Sequence, residues 1–131
     1  EWVVGSKKPA LSYKLLNEDG LVENEAHEMK LDESKVTVTE DFFDKDAYIF
    51  ENSGCREVSI QADGKAAVTV TFDAPVFGLW SPVGKKVPFI CIEPWYGRAD
   101  AADFDGNLQK RAWQNELEPG KIFEKAYTIA F

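Results

Sequence analysis

The sequence predicts an all-β fold, an antiparallel β-sandwich assembled from hairpins. Three observations carry that reading. Apolar residues recur with a period of two: Val36 and Val38 alternate with Lys35, Thr37 and Thr39, Val58 and Ile60 with Ser59 and Gln61, and Val68, Val70 and Phe72 with Thr69, Thr71 and Asp73. The runs are separated by turn chemistry, Asp19-Gly20, Asp63-Gly64 and Pro119-Gly120. Helical periodicity is poor throughout.

Taken in order, the chain opens Glu1-Trp2-Val3-Val4, as though inside a strand, and without an initiator Met. Strands are expected over about 10–16, 35–39, 47–51, 57–62, 66–73, 76–80, 88–93 and 122–130. Asp63-Gly64 sits between two alternating runs and is the strongest hairpin signal, because Gly supplies the positive φ of a tight turn. Pro119-Gly120 suits a type II turn. Asp41 to Asp44 reads as one short turn before the next strand. Ala99 to Trp113 reads as a long loop, since Gly106 and the Asp and Asn residues around it oppose a helix. Near the C-terminus Phe123, Tyr127, Ile129 and Phe131 share one parity, with Lys125 the exception. There is no repeat, low-complexity tract or linker, so residues 1–131 read as one unit.

The 131 residues carry 15 Lys+Arg against 23 Asp+Glu, a formal charge of −8. Without a basic run, that balance argues against nucleic acid and anionic membrane as partners. At 44% hydrophobic and 13% aromatic residues the chain is too rich in core formers for disorder. Apolar runs such as Phe89-Ile90-Cys91-Ile92 fall far short of the ~20 residues of a membrane span. Cys55 and Cys91 lack the spacing of a zinc site and read as buried free thiols, with a disulfide the alternative; as nothing indicates export, the expected compartment is the reducing cytoplasm.

Few positions carry chemistry. Glu93 follows the apolar run 89–92, shares strand parity with Cys91 and Phe89, and precedes Pro94-Trp95-Tyr96-Gly97. A carboxylate at the mouth of an apolar strand suits base catalysis; the alternative is a strand-end Glu satisfied by a backbone N–H or an Arg. Trp95 and Tyr96 beside acidic residues suit a sugar, whose C–H face stacks on an aromatic ring while carboxylates take its hydroxyls; the alternative is that they are core. Asp46, before the apolar strand 47–51, is either a ligand-binding acid or a turn residue. Asp103 to Asn107 resembles a calcium loop only briefly, because Leu108 stands where Gly is required and Gln114 where Glu is required. His27, in a polar stretch, is expected as a solvated loop residue.

The stretch Pro88 to Asp100, with Cys91-Ile92-Glu93-Pro94-Trp95 at its centre, resembles the C-terminal signature of aldose 1-epimerase (galactose mutarotase) relatives, closest to a bacterial branch carrying C-I-E-P-W. Three further stretches agree in order: Phe43 to Phe50, Phe77 to Ser81, and Leu117 to Gly120 leading to Tyr127-Thr128-Ile129. The resemblance covers about residues 30–131 and extends over 1–29 only by position. It implies the C-terminal portion of a galactose mutarotase-like supersandwich, truncated before its N-terminal half. By the same resemblance Glu93 is the general base, Asp46 binds sugar hydroxyls, and Trp95, Arg98 and Asp100 line the pocket. The implied ligand is a hexose, no cofactor or metal is implied, and the implied protein partner is the absent half or a homodimer mate. One feature departs from the family. Its acid is a His followed by Pro, whereas His27 is followed by Glu28, so the acid is expected in the absent half and the isolated chain is expected to be inactive. Two readings compete with the isomerase: a non-catalytic sugar-binding or sugar-sensing relative, and a small complete all-β interaction domain.

Overall fold

The computed structural model describes residues 2–85 and 87–131. Among them are ten strands and one 3-10 turn, Leu108–Lys110. Strands β1 (Trp2–Gly5), β4 (Lys35–Val38), β6 (Glu57–Ala62), β7 (Lys65–Phe72) and β10 (Tyr127–Ala130) form an antiparallel sheet in the order β10-β7-β6-β1-β4. Strands β2 (Ala10–Tyr13) and β3 (His27–Lys30) pair with each other, and β5 (Tyr48–Glu51), β8 (Val76–Trp80) and β9 (Cys91–Trp95) form a third sheet in the order β5-β8-β9. A bridge between Lys14 and Ile49 ties the chain leaving β2 to β5.

The period-two runs become strands whose alternate residues point into one core. Leu11 and Met29 from β2 and β3, Phe50, Phe77 and Leu79 from β5 and β8, and Val58, Val70 and Phe72 from β6 and β7 belong to a single buried cluster. This is a sandwich, with the five-stranded sheet facing the two smaller ones. Phe50 and Phe77 are cross-strand partners, both essentially fully buried, and their rings stack at 4.5 Å and 11°.

The turns are as the residues demand. Asp63 (φ 51°) and Gly64 (φ 74°) join β6 to β7 with both central residues left-handed, as a type I′ turn requires. At Pro119-Gly120 the Lys121 amide donates to the Glu118 carbonyl at 3.0 Å, with Gly120 at φ 79°. Residues 40–45 form turns, and the long loop after β9 holds the 3-10 turn and a bridge from Ala101 to Val22.

Four expectations are corrected. The strand expected over 88–93 is β9, Cys91–Trp95. Residues before Cys91 belong to the loop closed by the Ser81 hydroxyl, which donates to the Phe89 carbonyl at 3.0 Å. The strand continues through Pro94 because β9 is an edge, where a missing N–H costs the ladder nothing. The strand expected over 122–130 begins only at Tyr127, which pairs with Phe72, the last residue of β7. His27 is not in a loop; it lies in β3 opposite Tyr13, with ring centroids 5.4 Å apart. Of the two thiols Cys55 is buried, but Cys91 is only partly so.

The register β10–β7 places Tyr127 beside Phe72 and Ile129 beside Val70, on the side of the sheet that β7 turns to the core. Yet Tyr127 is 58% exposed and Ile129 45%, so the core-facing side of the sheet runs one strand beyond its cover. The segment before β10 is anchored by side chains. The Tyr96 hydroxyl donates to Asp73, Lys125 Nζ lies 3.0 Å from the same carboxylate and 5.1 Å from the Tyr96 ring centre, and Phe123 packs edge-on against that ring. The Asp73 carboxylate pushes the Tyr96 phenol up to about 12 and is itself held below its ordinary value, by the Tyr96 hydrogen bond first and then Lys125.

Two predictions follow from this packing. Phe50→Ala should cost about 3–5 kcal/mol in urea unfolding, by loss of buried area and creation of a cavity beside Phe77. Because its folded value is raised, the Tyr96 contribution is complete below pH ~10 and lost as pH rises towards ~12. Asp73→Asn should therefore bring the Tyr96 phenol back towards ordinary titration in an ultraviolet pH titration; an unmoved curve would show that Asp73 does not set it.

Candidate functional site

Strand β9 presents Cys91, Glu93 and Trp95 on the face opposite the core, while Ile92 packs against the core cluster. Their cross-strand partners on β8 are Trp80, Gly78 and Val76, and beyond Gly78 and Val76 lie Ile49 and Glu51 of β5. The outer face of the β5-β8-β9 sheet is therefore a patch of two acids, indoles, small aliphatics and one glycine.

Glu93 is half-buried at the middle of β9, opposite Gly78. Its Oε2 accepts the Trp95 indole N–H at 3.1 Å. The donor is thus neither of those expected, a backbone N–H or an Arg. The Trp95 ring lies against Gly78, where a Cβ would stand 2.8 Å from Cζ2 and 3.0 Å from Cη2, closer than real Cβ contacts allow. The ring also packs on a small cluster of Val22, Ile49 and Val76, beside Leu16 and Trp113. Burial first, and then the negative charge of Glu93, push the Cys91 thiol up, so it stays protonated at neutral pH.

Arg98 and Asp100 fall in a second polar group, centred on Glu51. The Arg98 side chain is 3% exposed and pairs through Nε with Glu51 Oε1. That oxygen also accepts the Trp113 indole N–H at 3.0 Å, and Lys14 Nζ lies 3.3 Å from Oε2. Asp100 pairs with Arg111, which also donates to the Arg98 carbonyl at 2.8 Å. The Asp100 carbonyl accepts the Val22 amide at 2.8 Å, so the loop after β9 is laced over this end of the sheet. Among the described residues no buried side-chain nitrogen or oxygen lacks a hydrogen-bond partner.

Asp46 stands apart. It precedes β5, the strand at the opposite edge of the sheet from β9, in the left-handed region at φ 66°. Its amide donates to the Phe43 carbonyl at 3.0 Å, and its Oδ1 accepts the Ala47 amide at 2.7 Å. The structure thus brings together Glu93 and Trp95, pairs Arg98 with Glu51, links Asp100 to Arg98 through Arg111, and sets Asp46 in the turn before the far strand.

A cavity of about 610 Å3 lies elsewhere, between turn 39–44 and loop 81–90, lined by residues including Phe43, Asp44, Ser81 and Phe89. None of Glu93, Asp46, Trp95, Arg98 or Asp100 lines it. Among the described residues no group of three His, Cys, Asp or Glu side chains is placed to hold a metal ion, and no helix is long and apolar enough to cross a membrane.

Sequence reasoning missed Glu51 and Gly78. Glu51 ends an apolar strand with nothing to mark it as the acceptor of two hydrogen bonds and the partner of a lysine. Gly78 carried a readable signal, since a lone Gly inside a strand marks a close approach.

No family model matches the chain, and no curated protein matches it. Solved structures do. The galactose mutarotase related enzyme of Lactobacillus acidophilus superposes with a TM-score of 0.84 at 31% identity over 98% of this chain and 44% of its own. The chain has a galactose mutarotase-like fold. A galactose mutarotase-like protein of Lactobacillus casei gives a TM-score of 0.76 at 19% identity with the same coverage, a likeness of fold alone. The superfamily that the motifs around Glu93 resemble is therefore the one found among the structural neighbours of this galactose mutarotase-like chain, which spans less than half the length of either.

The Glu51 group gives the site's stability prediction. Arg98 is almost wholly removed from water, so stripping Glu51 strands its guanidinium. Glu51→Leu should destabilise by about 3–5 kcal/mol in denaturant unfolding, and Arg98→Met, which leaves Glu51 with Trp113 and Lys14, should cost less. The double variant should lose much less than the sum. Additive losses would show that the two do not act as a pair.

Proposed function

We propose that the protein carrying this chain is an aldose 1-epimerase-like isomerase that interconverts the α and β anomers of a hexose, with Glu93 as general base. The observation that supports this most directly is the placement of Glu93. It is half-buried on the outer face of an edge strand and held by Trp95, within the stretch that resembles the family's C-terminal signature, in a chain with a galactose mutarotase-like fold.

In this reading the carboxylate takes the proton from the C1 hydroxyl as an acid protonates the ring oxygen. The bond between C1 and the ring oxygen breaks, the aldehyde carbon rotates, and reclosure delivers the other anomer while the protons return. Asp46 contributes to the sugar side of the pocket, as do Arg98 and Asp100 through the loop they hold in place, while Trp95 stands against the carboxylate of Glu93. No step calls on a cofactor. His27 is not taken as the acid in this reading, because Glu28 and not Pro follows it. The proposal takes the acid, and the cover for the exposed core-facing residues of β10, from polypeptide outside this chain, since the solved relatives are more than twice as long. Two free thiols suit the reducing cytoplasm.

In the intact protein Glu93→Gln, which keeps size and hydrogen bonding but cannot take a proton, should slow mutarotation of freshly dissolved α-D-galactose by about 10²–10⁴-fold in polarimetry. An unchanged rate would remove Glu93 from the reaction. Sugar binding by calorimetry with no turnover in the wild-type protein would favour the sugar-sensing relative instead, the reading that the lack of a family-type His-Pro motif in this chain supports.

A further inference from the structure

We propose that Trp95 is a positioning residue for Glu93 and that Gly78 is the seat that fixes Trp95. The inference rests on the reading of Glu93 as the base and deepens it: the indole otherwise expected to stack on sugar acts instead by aiming the carboxylate.

Four observations carry it. Strand alternation puts Glu93 and Trp95 on one face of β9, two residues apart. The indole Nε1–H, a donor with a single direction and no acceptor role, reaches Glu93 Oε2 at 3.1 Å. The ring is lodged over Gly78, which stands opposite Glu93 in the register, and three of its carbons lie within 3.4 Å of where a Cβ would be. The ring also packs on Val76, directly opposite Trp95, and on its neighbours Val22 and Ile49.

A carboxylate on a Glu side chain has three torsions to lose before it can meet a substrate proton in one geometry. The indole bond holds one carboxylate oxygen and so narrows the orientations open to the other. The bond works only if the ring itself cannot turn, and the bare backbone at Gly78 supplies that. A side chain at 78 would lift the ring and swing the N–H away. Small errors in reacting geometry cost rate rather than affinity, so the effect belongs in kcat.

The test uses the intact protein and α-D-galactose mutarotation followed by polarimetry. Trp95→Phe keeps an aromatic ring and removes the donor; kcat should fall about tenfold, with KM within about twofold of wild type. Gly78→Ala should lower kcat in the same way. The double variant should be no worse than Trp95→Phe alone, because Gly78 acts only through the indole. Replacing Trp95 with benzothienylalanine, which keeps the shape and loses only the N–H, should reproduce the Trp95→Phe loss and serves where Phe disturbs folding. A raised KM at unchanged kcat would make Trp95 a stacking platform and overturn the proposal. So would independent, multiplicative losses from Trp95 and Gly78, or full activity with benzothienylalanine. The series includes Glu93→Gln: wild-type turnover in that variant defeats the base reading itself, whereas lost turnover there with an unaffected Trp95→Phe defeats only the positioning role.

Discussion

Phe50 stacks on Phe77 across β5 and β8, and that contact decides which face of the three-stranded sheet turns inward. Side chains in a strand alternate strictly, so one choice of face fixes every other position on it. With Phe50, Phe77, Leu79 and Ile92 committed to the core, Glu51, Gly78, Glu93 and Trp95 have to stand on the opposite face. A slip of one residue in β9 would drive Glu93 into the core, where an unpaired carboxylate is intolerable, and would expose Ile92 and Pro94 in its place. The hydrophobic core thus sets the register of the site before any polar interaction is considered.

The polar face is then organised by two acids used in different ways. Glu51 is surrounded by donors, the Arg98 guanidinium, the Trp113 indole and the Lys14 ammonium, and both of its oxygens are engaged. An acid so saturated holds structure together: it draws the loop after β9 and the chain leaving β2 onto one end of the sheet. Glu93 has the Trp95 indole as donor, with the Cys91 thiol beside it, and remains half-buried. The difference is in what surrounds each carboxylate, since the two share a sheet face and a chemical identity.

Much of the fold was legible because its signals were local. β6 and β8 fall on the expected residues, and the Asp63-Gly64 turn has the expected backbone, since alternation and a left-handed dipeptide are properties of a few adjacent residues. What was not legible depended on partners. β3 reads polar because only Met29 of His27–Lys30 is aliphatic, although one buried residue in alternation is enough for an edge hairpin strand. Pro94 hid the second half of β9 because its tolerance depends on β9 being an edge, which only the sheet order reveals. At the site, Glu93 and Trp95 were legible as neighbours of suitable chemistry. Their bond to each other, the seat at Gly78 and the capture of Arg98 by Glu51 join residues up to 47 positions apart, and no local pattern encodes them.

The supports of the two candidate carboxylates also differ in kind. Asp46 is held by its own backbone, a left-handed turn residue whose Oδ1 accepts the next amide, and such a support leaves with the loop if the loop moves. Glu93 is held by a strand paired along its whole length with β8 and by a ring lodged against that same strand. A proton-transfer group needs the tighter of these two supports, because its reaction is sensitive to fractions of an ångström, while a residue that only grips hydroxyls can follow its ligand. For the proposed roles, strand for the base and turn for the hydroxyl-binding acid is the arrangement their chemistry would call for, and the element that buries Phe77 in the core is also the one that pairs with Glu93.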